Sequence, residues 1–148
     1  GEPPSLQAFS ETSASIITAV SRHDFSLLLH PLRAHHSYTF KHSMFVTGTL
    51  VAFANLLGFN RQDVETVAVA GLVHDIGKLN TPLEILNKPQ RLDPEEWEIM
   101  MQHPNEGAAI LARKGEWPKH FIDAALHHHE RIDGRGYPEK LSDNAVSD

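Results

Sequence analysis

Residues 64–78 read VETVAVAGLVHDIGK, and the spacing of apolar residues in this stretch decides the fold class. Val64, Val67, Ala68, Gly71 and Leu72 fall at i, i+3, i+4, i+7 and i+8, one face of a helix with about 3.6 residues per turn. Asn60 stands ahead of them as an N-cap, with Asp63 in the first turn. Followed one turn further, the same face meets Asp75, with His74 beside it. A carboxylate on a buried face is costly unless it is paired or holds a cation. The stretch therefore predicts a helix and a reason for a charged group at its inner end.

Working outward, the chain reads as further helices joined by short loops, with no convincing strand period. Upstream, a helix is expected over about 11–22. A short apolar piece at Leu27–Leu29 should end near Pro31. A long helix should run from about Thr39 to Leu57, with Val46, Leu50, Phe53, Ala54 and Leu57 inward and Gly58 as its stop. Downstream comes a loop with Gly77, Pro82 and Pro89. Asp93-Pro94-Glu95-Glu96 is a strong helix start, and Pro104 should end that helix by His103. Trp97, Met100 and Met101 read as core packing. Helices over about Asn105–Lys114 and Pro118–His129 follow, then a loop at Asp133–Pro138. The expectation is an all-α bundle of about five to seven helices, with residues 1–10 a linker and 11–148 one domain.

Composition narrows the function classes. At 148 residues and 41% hydrophobic, the chain supports one core. It has no Cys, which excludes disulfides and thiolate catalysis. No apolar run approaches the roughly 20 residues needed to span a bilayer. The start, GEPPSLQAFSE, is unlike a signal peptide, so a cytoplasmic location without membrane insertion is expected. A net charge of −6 without a basic stripe argues against binding duplex nucleic acid.

Histidine is the outlier, with 11 residues spread from His23 to His129. His42 lies four residues before Val46, and His128 and His129 lie seven and eight after Phe121. Helical periodicity thus puts His42, Asp75, His128 and His129 on inward faces near helix ends, and His103 could complete the ring. A lone inward His is more often a hydrogen-bonded core residue. Five or six converging on one Asp suit iron, manganese, zinc or nickel. His23, His30, His35, His36 and His120 read as surface, and His127 falls off the stripe.

Four elements then resemble a known family. His74-Asp75-Ile76-Gly77-Lys78 is similar to the HD-x-G-K element of the HD superfamily of metal phosphohydrolases. His128-His129-Glu130 with Asp133-Gly134 and Gly136-Tyr137-Pro138 resembles the signature of its HD-GYP branch. His103-Pro104 with Gly107, and Tyr38-Thr39 with His42-Ser43, match two further elements, so the resemblance covers roughly residues 35–141. It implies an all-α fold and hydrolysis of cyclic di-GMP to pGpG or GMP, or of cyclic GMP-AMP, by a metal-bridging hydroxide.

By the same resemblance, His42, His74, Asp75, His103, His128 and His129 would be metal ligands. Asp75 would bridge two ions, and Lys78 would lie near the scissile phosphate. Gly134, Gly136 and Tyr137 would form the loop, with Tyr137 a candidate nucleotide contact. Iron or manganese is expected first, with zinc, nickel or magnesium as alternatives. Trinuclear members carry a Glu where this chain has Tyr38, which favours two ions. The superfamily's last ligand Asp lies in a helix beyond the loop. The chain stops at Asp148 before it, so a fragment lacking the closing helices is expected. Asp143 and Asp148 are nearby acids outside the expected helical context. An attached sensory or receiver domain and a homodimer stay open. The rival readings are an HD enzyme for another nucleotide, a degenerate module that binds a cyclic dinucleotide or a partner protein without turnover, and a purely structural helical domain.

Overall fold

The computed structural model describes residues 26–113, 117–142 and 145. The expected helix over 11–22, the linker at 1–10, His23, Asp143 and Asp148 lie outside the described residues. What is described is all-α, as expected: α1 (Ser26–His35), α2 (Ser37–Leu56), α3 (Arg61–Val73), a 3-10 turn (Ile76–Asn80), α4 (Leu83–Leu86), α5 (Pro94–Met100), α6 (His103–Arg113) and α7 (Lys119–His127). The one β-bridge among them joins Asp133 to Ser142. No described helix is long and apolar enough to cross a membrane.

Helix ends follow local chemistry. Asn60 caps α3 by accepting from the Asp63 amide, and Asp93 and Glu96 close a reciprocal capping box at the start of α5. Gly58 takes a φ of +76° just past α2, where a side chain would be strained. Three boundaries differ from the sequence expectation. Pro31 does not end α1, which continues to His35 with Leu32 fully buried. Pro104 sits in the first turn of α6, where proline is tolerated, so His103 opens α6 instead of closing α5. The expected loop after Asp75 holds the 3-10 turn and α4.

The largest difference concerns α2. Its buried face is Thr39, Ser43, Thr47, Val51 and Ala54. Of the expected stripe only Ala54 is in the core; Phe53 and Leu57 are more than half exposed. The cause is close approach to α3. A Cβ on Gly71 would meet the Thr47 Oγ1 at 3.0 Å and its Cα at 3.1 Å, so the crossing admits only small residues. The Thr47 hydroxyl donates to its own helix at Ser43 O, 2.8 Å away, which satisfies it without a partner across the interface. On α3 the expectation fared better: Val64, Ala68, Gly71 and Leu72 are buried, joined by Val69 and Val73. These residues pack with Leu32, Ile76, Leu111 and Phe121 in one core, at whose edge Asp75 sits.

Candidate metal centre

Asp75 occupies the step between α3 and the 3-10 turn, where the backbone leaves helical geometry (φ −99°, ψ 10°) and turns the carboxylate inward. Its side chain is 1% exposed. His74 and His42 approach Oδ2, with Nε2 at 3.3 and 3.9 Å. His103 and His128 approach Oδ1, with Nε2 at 3.4 and 3.6 Å. The donor atoms fall into two groups, His42 with His74 and Asp75, and Asp75 with His103, His128 and His129; within each, all lie within 4.8 Å of one another. Asp75 is the shared member, and its two oxygens face different groups.

Three of the imidazoles are oriented alike. The Nδ1–H of His74 donates to Gly71 O at 2.8 Å, that of His103 to Met100 O at 2.7 Å, and that of His128 to Ala125 O at 2.9 Å. A carbonyl only accepts, so the proton is on Nδ1 and the Nε2 lone pair is aimed at the centre. His103 Nε2 and His128 Nε2 then stand 3.1 Å apart, lone pair to lone pair. A shared cation relieves that opposition, and the spacing suits two nitrogens bonded at about 2.1 Å to one ion. Asp75 Oδ1 is buried and accepts no hydrogen bond among the described residues. An orphaned carboxylate oxygen amid imidazole lone pairs fits a divalent metal.

The electrostatics agree. Burial holds His103 at about 4 and, together with neighbouring His128 and His103, holds His129 at about 3, so both rings are neutral near pH 7. His42 is also lowered, chiefly by burial. Burial alone would raise the Asp75 carboxyl. The Lys78 ammonium beside it acts in the opposite direction. Lys78 Nζ donates to Asp75 Oδ2 at 2.7 Å.

The loop after α7 is held from within. Glu130 accepts from three successive amides, Glu139 N and Lys140 N on Oε1 and Leu141 N on Oε2. This clasp steadies Lys140, whose φ of 55° is unusual for a residue with a side chain. Gly134 has a φ of +69°, and a Cβ on Gly136 would lie 2.5 Å from Glu130 Cα. The loop so formed lays the Tyr137 ring on His129, centroids 4.6 Å apart and 15° from parallel. Burial, with the Asp75 charge, raises Tyr137 to about 12, so it stays a neutral phenol.

The structure brings His42, His74, Asp75, Lys78, His103, His128 and His129 together, and puts Tyr137 against that set. His42 differs from expectation in being 42% exposed, because its face of α2 borders an open cleft and not the core. Tyr38 is 71% exposed. Among the residues read as surface, His36 is buried: its Nδ1 caps α2 by accepting from Thr39 N. His127 pairs with Glu139 through Nε2 at 3.1 Å. Trp97 is no core residue, being 46% exposed, and α5 buries none of its residues. Sequence reasoning missed the Glu130 clasp; its signal was an acid just ahead of a glycine-rich loop.

Comparison with known proteins agrees with this geometry. A family model described as HD domain matches residues 14–147. A cyclic di-GMP phosphodiesterase of Pseudomonas aeruginosa is 40% identical over 138 residues, 93% of this chain and 32% of the relative. The 3'3'-cGAMP-specific phosphodiesterase 1 of Vibrio cholerae is 35% identical over 81% of this chain and 28% of the relative. A cyclic di-GMP phosphodiesterase of Thermotoga maritima is 42% identical over 63% of this chain and 26% of the relative. The chain spans about a third or less of the length of these relatives.

Proposed function

This chain belongs to the HD domain family, in its HD-GYP branch, and we propose that it hydrolyses a cyclic dinucleotide at a two-metal centre built on Asp75. HD domains bind divalent metal; the number and kind of ions are part of the proposal. His42, His74 and Asp75 would hold one ion, and Asp75, His103, His128 and His129 the other, with iron or manganese favoured by the imidazole-rich set. Tyr38, exposed where a third ion would need a carboxylate, favours two. The observation that carries the reading is the Asp75 carboxylate, buried and with each oxygen turned to a separate imidazole group.

Divalent ions at this place would supply an activated water near neutral pH and neutralise phosphoryl charge. The chain's own residues do the rest. Gly71, Met100 and Ala125 fix three ring orientations through their carbonyls, so no reorganisation is needed when ligands engage. Lys78, partly exposed to the cleft, brings a positive charge beside the shared carboxylate, where a phosphate oxygen would gain charge during displacement. Tyr137, kept neutral, offers a phenolic donor and a ring face next to His129. Gly134 and Gly136 let the loop approach so closely. The relatives' names support a cyclic dinucleotide as substrate.

The test is metal analysis of purified chain beside a cyclic di-GMP hydrolysis assay, repeated for Asp75→Asn. Wild type should retain metal and release linear product, and the variant should lose both. Wild type devoid of metal after loading with Mn or Fe, or an Asp75→Asn protein keeping metal and turnover, would overturn the assignment.

A further inference from the structure

His128 and His129 border two clefts. One, about 510 Å³, is the cleft beside His42 and Lys78. The other, about 630 Å³, is walled by Trp97 of α5, by Met101 just after it and by Arg135, Tyr137 and Lys140 of the loop. Both volumes are in the range of small-molecule sites. The centre thus lies where two spaces meet, and only the first contains Lys78.

The second cleft has an unusual wall. Trp97 leaves nearly half its surface in solvent on a seven-residue helix with no fully buried residue. That helix carries its own capping box and a Lys88–Glu96 ion pair. The Trp97 ring lies 6.2 Å from Tyr137 and 72° from parallel to it, and Tyr137 in turn stacks on His129. Aromatic faces therefore run outward from the metal centre along the cleft. Cations stand beside them. Arg131 is taken by Asp133 at 2.7 Å, but the side chains of Arg135 and Lys140 form no ion pair among the described residues.

We propose that Trp97 is the platform for a purine base of the cyclic dinucleotide, and that Arg135 and Lys140 receive the phosphodiester not being cleaved. The inference rests on the proposed function and adds a second subsite to it. The chemistry of the ligand asks for one. A cyclic dinucleotide carries two phosphodiesters on opposite sides of its ring and two purines. With one phosphate at Asp75, the other phosphate and a base lie outside the centre. A planar indole stacks a base of any identity, and an unpaired guanidinium matches a phosphate in a bidentate way.

The Trp117→Phe variant leaves Trp97 as the sole tryptophan. In the metal-loaded chain, Trp97 emission should change saturably on titration with cyclic di-GMP and not with inorganic phosphate. If Trp117→Phe fails to fold, subtracting the Trp97→Phe signal from wild type gives the same reading. Trp97→Ala and the Arg135→Ala/Lys140→Ala pair should each weaken cyclic di-GMP binding roughly tenfold or more. KM should rise for each while kcat moves within about twofold, and only the charge variant should flatten the salt dependence of binding. Binding of cyclic di-GMP, seen by calorimetry, without a Trp97 response overturns the inference. A Trp97 response without hydrolysis supports it and sinks the hydrolytic reading. Hydrolysis with no Trp97 response does the reverse, and failure to bind cyclic di-GMP at all sinks both.

Discussion

Replacing Gly77 by alanine tests how the fold and the centre are joined. The 3-10 turn that follows Asp75 crosses the start of α6 at backbone contact. A Cβ at Gly77 would stand 1.9 Å from His103 O, 2.4 Å from Gly107 N and 2.9 Å from His103 C. The first falls about 1.5 Å short of ordinary contact, and all three atoms are backbone, which no rotamer change can move. Overpacking a core typically costs about 1–3 kcal/mol, so this site belongs at or above the upper end. Against a domain stability of roughly 5–15 kcal/mol that is a large fraction. Relief requires the turn and α6 to separate, which pulls His103 from Asp75, now 3.4 Å apart.

Two other glycines calibrate the result. A Cβ at Gly107 would meet Gly77 N at 3.3 Å and two side-chain carbons at 3.5 Å, so alanine there should cost about 1 kcal/mol. Gly48, inside α2, has nothing within 4 Å, and alanine there should stabilise by about 0.5–1 kcal/mol through helix propensity. Urea unfolding of the metal-free proteins, with metal content measured alongside, reads the series. Gly77→Ala should be the least stable and bind the least metal. A Gly77→Ala protein within about 0.5 kcal/mol of wild type, or a reversed order of the three, refutes the close-crossing argument.

Lys78→Ala should keep its metal, because Lys78 donates to Asp75 and is no ligand, while kcat falls about 100-fold; unchanged turnover would remove Lys78 from the reaction. Metal-free stability should fall with acid. His103 is held at about 4 by burial but titrates near 6.5 when unfolded, so the unfolded chain takes up a proton that the folded one refuses. The contribution is complete above about 6.5 and is lost as pH falls toward 4, about 2 kcal/mol between pH 7 and 5 from this residue; equal urea midpoints at both pH values in chelator would contradict it. Glu130→Gln replaces one acceptor oxygen by a donor facing backbone amides, which should cost about 1–3 kcal/mol and speed amide exchange at residues 139–141; unaltered exchange there would deny the clasp.

The sequence by itself determined the helical class, the caps at Asn60 and Asp93, the stripe of α3 and the inward position of Asp75. It could do so because these depend on local spacing and on groups a few residues apart. Histidines at helix ends were legible for the same reason, since their positions follow from extending a period. Only the tertiary structure decided which face of α2 is buried. Periodicity finds an apolar stripe but does not know how near the neighbouring helix lies. At the Thr47–Gly71 crossing, distance selects small residues and leaves Phe53 and Leu57 in solvent. Trp97 and His36 were misread alike, because burial of a single side chain depends on what another element places over it. The pairing of one Asp75 oxygen with each imidazole group is likewise a fact of packing, made by elements that meet far apart in sequence.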